Sequence, residues 1–154
     1  MKTIVDKLRE LNKTIATMES CTGGAVVSSI TNIEGASEIL KFSAVTYSNE
    51  YKIKMGVNKE TIDKYSVYSI EVAKEMSKSI SLFANSDYGI GVTGKINRED
   101  KDNPYGKNNL AYVSIYEKET DKYYLLEVYM EDKTRVENKE LIIKNIIDKL
   151  LEII

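Results

Sequence analysis

The sequence predicts an α/β fold, with helices on both faces of a mixed sheet. Three observations carry this prediction. A β-like run, Lys13-Thr14-Ile15-Ala16, is followed by a glycine turn and then by Val26, Ile30 and Ile33 at helical spacing. Glycine alternates with large apolar residues over Asp87–Thr93, as in a central strand packed closely beneath another layer. Two runs rich in branched and aromatic residues, 110–116 and 123–130, lie near enough to form a hairpin, which makes part of the sheet antiparallel.

Taken in order, residues 2–12 place Ile4, Leu8 and Leu11 on one face, predicting a helix that covers the sheet. Lys13 to Glu19 is the first strand, 22–32 the helix after it, and 33–37 a connection punctuated by Gly35. Ile39 to Tyr47 reads as a strand, followed by the helix-starting residues Ser48-Asn49-Glu50 and a short helix over 49–55 that Gly56 stops. Asn58 caps a second short helix over 59–65. Ser69 caps a longer one, with Ala73, Met76, Ile80 and Phe83 sharing a face. Gly94 ends the glycine-rich strand. Residues 95–108 are polar and irregular, the length of a functional or disordered loop, with Arg98–Asp102 reading as solvated. Residues 135–152 give the strongest helical pattern, with Ile143, Ile147, Leu150 and Ile154 on one face and Ile142 and Ile146 beside it.

Composition excludes several kinds of chemistry. The 154 residues carry a formal net charge of −2, which argues against a general affinity for nucleic acid. No run is long and apolar enough for a membrane span, and a single cysteine excludes an intrachain disulfide, so a cytoplasmic protein is expected. Histidine is absent, so neither a Ser-His-Asp nor a Cys-His arrangement can be built. A zinc site is unexpected for the same reason. A nucleophilic enzyme made from this chain needs Lys, Tyr or a carboxylate as its base.

The candidate nucleophiles are Ser20 and Cys21, where the first strand ends. Ser20 and Tyr47 each close a strand, and ligands of open α/β sheets bind at the C-terminal strand ends. Lys52 lies one helical turn beyond Ser48, near the same crevice. Ser20, Tyr47 and Lys52 are therefore the candidate catalytic set, with Lys52 neutralised by burial or Tyr47 ionised beside a cation, against a plain reading of Ser20 as a helix N-cap. Backbone N–H groups around Thr22-Gly23-Gly24 or Gly94 are the expected cradle for an oxyanion or a phosphate. Cys21 is expected to turn into the core.

Glu19-Ser20-Cys21-Thr22-Gly23-Gly24, then Val45-Thr46-Tyr47-Ser48-Asn49-Glu50-Tyr51-Lys52 and Gly56-Val57, closely resemble the CinA C-terminal domain family. The helix start Ser69-Ile70-Glu71-Val72-Ala73 and Val92-Thr93-Gly94 are similar to it in the same order. The resemblance implies a three-layer α/β/α sandwich over 1–154, a homodimer, and a hydrolase of NAD salvage. That activity is nicotinamide-nucleotide amidase (nicotinamide mononucleotide deamidase), with no cofactor and a pyridine nucleotide as its small-molecule partner. The family's Ser, Tyr and Lys match Ser20, Tyr47 and Lys52. Glu19, Thr22, Gly23, Gly24, Asn49, Thr93 and Gly94 are then expected around the substrate, with Lys133 or Arg135 holding its phosphate. With no nucleotide-interconverting domain in front, the resemblance implies the stand-alone form.

Three segments depart from the family pattern. Lys95-Ile96-Asn97-Arg98-Glu99-Asp100 replaces Ile-Ala-Gly-Pro, Asn103-Pro104-Tyr105-Gly106 replaces Lys-Pro-Val-Gly, and Glu131-Asp132-Lys133 replaces Gly-Asp-Arg. The nucleophile side is intact and the substrate side rewritten. The alternatives are a silent nucleotide-binding or regulatory module, or an amidase with another substrate.

Overall fold

In the computed structural model, which describes residues 1–154, five strands form one mixed sheet between two helical layers. The elements are α1 (Lys2–Glu10), β1 (Ile15–Glu19), α2 (Ala25–Thr31), α3 (Ala36–Ile39), β2 (Leu40–Val45) and α4 (Asn49–Lys54). They continue as α5 (Lys59–Tyr65), α6 (Ile70–Ala84), β3 (Tyr88–Gly94), β4 (Leu110–Glu117), β5 (Lys122–Tyr129) and α7 (Arg135–Ile153). The strand order is β2-β1-β3-β4-β5, parallel across the first three and antiparallel across the last two pairings. This is the α/β/α sandwich with a mixed sheet. No helix is long and apolar enough to cross a membrane.

Alternation along β1 divides the core. Ile15 joins Ile4, Leu8, Val26, Ile30, Ile142 and Ile146 on the face covered by α1, α2, α3 and α7. Ala16 and Met18 point the other way, to Val57, Val72, Met76 and Ile80 beneath α5 and α6. The chain thus leaves β1 over one face to reach β2, then crosses the opposite face to reach β3 on the other side of β1. The strand order reverses at β1, and such a reversal opens a crevice at the C-terminal strand ends. Glu19 is in register with both Val45 and Val92, so Ser20, Thr46 and Thr93 emerge together at that edge.

The glycines of β3 set the depth of α6. A Cβ at Gly89 would stand 2.0 Å from the Ser77 carbonyl, and one at Gly91 2.3 Å from that of Ala73. The smooth side of the strand is therefore covered by a helix. This close approach brings the α6 N-terminus, with Ser69 as its cap, to the mouth of the crevice.

Several boundaries differ from the sequence prediction. The connection after α2 contains the extra turn α3, entered through Gly35 at a φ of 85°, so β2 begins at Leu40. Helix α2 starts at Ala25 because Gly23 and Gly24 adopt φ of 62° and 95°, outside the helical region. Leu11 and Phe83, expected in the core, are 53% and 66% exposed. α1 ends before Leu11, and Phe83 instead packs on Phe42 at 5.0 Å between ring centroids. The stripe of α7 that reaches the sheet is Asn138, Ile142, Ile146 and Leu150, while Ile143 and Ile147 are only half-buried. Strict i, i+4 spacing drifts slowly around a helix, so the fully buried row lies one residue from the expected one.

Gly91→Ala is expected to destabilise the protein by about 2–3 kcal/mol, since backbone atoms of α6 must move to admit the methyl group. Urea unfolding measures this, and a loss below about 0.5 kcal/mol would mean that α6 yields freely.

Candidate active site

β1 ends in a carboxylate that closes its own turn. Glu19 is fully buried; its Oε2 accepts from the Thr22 hydroxyl at 2.7 Å and from the Gly24 and Val26 amides at 3.0 Å each. Its Oε1 accepts from the Val27 amide at 2.8 Å and the Thr17 hydroxyl at 3.3 Å. The positive end of a helix and the first unpaired amides of α2 are thus consumed inside the protein. This corrects the expectation that the Gly23-Gly24 turn cradles a ligand phosphate. Glu19, Thr22 and Gly24 brace the turn, and Gly23, whose amide donates to the Ser20 carbonyl at 3.0 Å, is exposed away from the crevice. The Cys21 and Thr22 amides donate to no other residue.

Ser20 sits on this braced turn with its own amide bonded to the Val92 carbonyl at 2.9 Å. Lys52 comes from α4, whose start is fixed by the Ser48 side chain accepting from the Tyr51 amide. Its side chain runs inward and is 1% exposed. The ammonium nitrogen reaches Ser20 Oγ at 3.0 Å and the Thr46 carbonyl at 2.8 Å, with no carboxylate as a partner. Burial without a counter-charge disfavours the cation, and the Lys52 pKa falls from 10.5 to about 8. Burial acts oppositely on Cys21, whose pKa is pushed up to about 12, so it remains a thiol inside the core. The structure thus brings together a hydroxyl and an amine that is neutral in an appreciable fraction of molecules.

Ser20 lies at the floor of a cleft of about 1110 Å³, with Lys52 buried behind it. Tyr47 lines this cleft but is 65% exposed, and its hydroxyl meets Arg135 Nη2 at 3.4 Å rather than Ser20 or Lys52. Of the expected substrate contacts, Gly94, Lys133 and Arg135 also line it. Arg135 is steadied by a bond from Nη1 to the Ile96 carbonyl at 3.2 Å, whereas Lys133 is paired with Glu131. Thr93 turns inward to the Val67 carbonyl at 2.9 Å, and Asn49 binds Asn103 Oδ1 at 3.1 Å; neither reaches the cleft wall.

Of the loop 95–108, residues 95–101 line the cleft, including most of the run 98–102 expected as solvated, and specific bonds hold the loop in place. Asp100 accepts from the Tyr68 hydroxyl and from the Asn103 side chain and amide, and Asn103 accepts from Asn49 on α4. The Tyr68 hydrogen bond holds the Asp100 pKa below its ordinary value. Burial first, then that same bond, pushes the Tyr68 pKa well up. Lys95 is buried with its ammonium 5.0 Å from the Tyr68 ring centroid. With Arg98, Lys101, Lys133 and Arg135 it gives the lining five cations against Glu99 and Asp100. The sequence reading missed Tyr68, Lys95, Asp100 and Asn138 as cleft residues. Asn138 carried a signal, a polar residue in the core-facing row of α7. It holds the turn before α7 by accepting from the Glu131 amide at 2.9 Å and donating to the Glu131 carbonyl at 3.1 Å.

All 154 residues match the family model described as the CinA C-terminal domain. A putative competence-damage inducible protein of Thermoanaerobacter sp. (strain X514) is 44% identical over 96 residues, 61% of this chain and 23% of that protein. A CinA-like protein of Kosmotoga olearia is 40% identical over 114 residues, 73% of this chain and 27% of that protein. The chain therefore spans only 22% to 28% of the length of these curated relatives. Among solved structures, competence/damage inducible protein CihA from Agrobacterium tumefaciens superposes with a TM-score of 0.86 at 24% identity, covering 97% of this chain and 90% of that one. A CinA superfamily protein from Klebsiella pneumoniae 700603 gives 0.88 at 21% identity, covering 98% and 93%. At these identities the structural likeness is one of fold.

The Lys52 environment has a measurable signature in stability. The unfolded chain binds the lysine proton up to pH 10.5, while the folded protein releases it near pH 8. Folding is therefore opposed below about 8, and this opposition fades as the pH rises between the two values. Relative to Lys52→Met, wild-type stability should rise by about 2–3 kcal/mol between neutral and strongly alkaline pH. Urea unfolding of both proteins at the two pH values checks this, and a constant difference would show that Lys52 titrates normally.

Proposed function

This chain belongs to the CinA C-terminal domain family, and on that premise we propose that it is a serine amidohydrolase converting nicotinamide mononucleotide to nicotinate mononucleotide and ammonia. The observation that carries the reading is the 3.0 Å contact between Ser20 Oγ, at the floor of a cation-lined cleft, and the buried Lys52 amine behind it.

Neutral Lys52 takes the Ser20 proton as Oγ attacks the carboxamide carbon, and the Cys21 amide stands next to the oxygen that gains charge. Lys52 returns the proton to the departing nitrogen, and ammonia leaves. Water then attacks the acyl-enzyme with Lys52 again as base, releasing the carboxylate and free Ser20. This serves where histidine is missing because burial has moved the lysine close to neutrality. Tyr47 takes a different part from the proton carrier expected from sequence: it holds Arg135, the rim cation best placed for the substrate phosphate. The pyridine nucleotide is thus held by its phosphate at the rim and its carboxamide at the floor.

Ammonia release from nicotinamide mononucleotide by the purified protein tests this proposal. Ser20→Ala and Lys52→Arg should each lower kcat about a thousandfold or more, the arginine because it keeps the charge but cannot accept a proton. The wild-type rate should climb with pH through about 8. Tyr47→Phe should raise KM several-fold with a smaller change in kcat, and nicotinamide riboside should be a poorer substrate. Saturable binding without ammonia would make the chain a nucleotide-binding module instead. Turnover only with another amide would keep the mechanism and change the substrate.

A further inference from the structure

One buried side-chain oxygen in the protein has no hydrogen-bond partner, the Thr46 hydroxyl. Every other buried threonine is satisfied: Thr17 by Ser43, Thr22 by Glu19 and Thr93 by the Val67 carbonyl. A fold rarely leaves such a group unpaired, because burying an unmade hydrogen bond is costly.

The place of this atom suggests its use. The Thr46 amide donates to the Glu19 carbonyl at 2.8 Å, and the Thr46 carbonyl accepts from Lys52 Nζ at 2.8 Å. The residue therefore links the end of the strand that bears Ser20 to the amine that faces Ser20. A neutral lysine amine has a lone pair and two N–H bonds. Here the lone pair is available to the Ser20 hydroxyl and one N–H is taken by the Thr46 carbonyl. When the Ser20 O–H bond breaks and a new N–H bond forms on Lys52, the ammonium has three N–H groups and two partners on the page. A charged donor without an acceptor in a buried site raises the energy of that state.

We infer that Thr46 is a positioning residue for this step: its hydroxyl turns about χ1 to accept the third N–H of the Lys52 ammonium while the proton is held there. The inference rests on the Ser20–Lys52 reading above but not on the identity of the substrate. The titratable neighbour of Lys52 is Cys21, which stays a protonated, uncharged thiol throughout the range in which Lys52 titrates.

The test is a titration of the full chain carrying 13Cε-labelled lysine, followed by NMR in wild type, Thr46→Val and Thr46→Ser, with Lys52→Arg identifying the signal. Valine keeps the shape and removes the acceptor, so protonation of Lys52 should become about tenfold weaker, while serine should restore it. At alkaline pH, where Lys52 is neutral, Thr46→Val should not melt below wild type, since it removes an unpaired group; below about pH 8 it should lose stability in step with its weaker protonation. With an amide substrate its kcat should fall about tenfold at unchanged KM. An unchanged or strengthened protonation in Thr46→Val, or a serine variant as perturbed as valine, would overturn the assignment. A protein that titrates as expected yet releases no ammonia would leave Thr46 in place and remove the amidase reading.

Discussion

The Glu19 carboxyl group is buried without a cationic partner, and five donors from β1, the turn and α2 surround it. A buried carboxyl group persists only where its hydrogen bonds are made, and here a helix start supplies them. The site hangs from this arrangement. The carboxylate delays α2 until Ala25, which forces the left-handed glycines and sets the angle at which Ser20 leaves the sheet. The Glu19 carbonyl holds the Thr46 amide, and the Thr46 carbonyl holds Lys52. The Ser20 hydroxyl and the Lys52 amine, 32 positions apart in sequence, are therefore both located through Glu19.

Much of this was legible in the sequence. Hydrophobic period located the long elements, and the glycine alternation of β3 announced the close approach of α6. The missing histidine directed attention to a lysine, and helical spacing from Ser48 chose Lys52. What was not legible were the choices among hydrogen-bond partners. The sequence presents Glu19 as a residue beside a nucleophile, and nothing local says that its side chain turns back to the amides of its own turn. Tyr47 ends a strand at the right edge, yet its ring points outward to Arg135. Asp100 sits within a charged run that resembles a solvated loop, and its role depends on Tyr68, 32 residues earlier. Each of these choices is settled by packing between distant segments, which period and propensity do not encode.

Floor and rim of the cleft follow opposite electrostatic rules. At the floor, burial removes charge: Lys52 loses affinity for its proton and Cys21 keeps its own. At the rim, Arg98, Lys101, Lys133 and Arg135 are exposed to water, giving a cationic entrance above the buried Lys52 amine. An anion drawn to that entrance gains its attraction at the surface, where desolvation is small.

The tether running from Tyr68 through Asp100 and Asn103 to Asn49 divides the labour of the outer wall unequally. A few side chains in 95–108 carry the anchoring, and Arg98, Glu99 and Lys101 hang between the anchors with no hydrogen bond to the body of the protein. Substitutions at those three positions would change the charge and shape of the cleft mouth and leave the Ser20–Lys52 contact untouched. In architecture the segment is a cassette: its exposed side chains can be exchanged singly, and the anchors beneath need not be rebuilt each time.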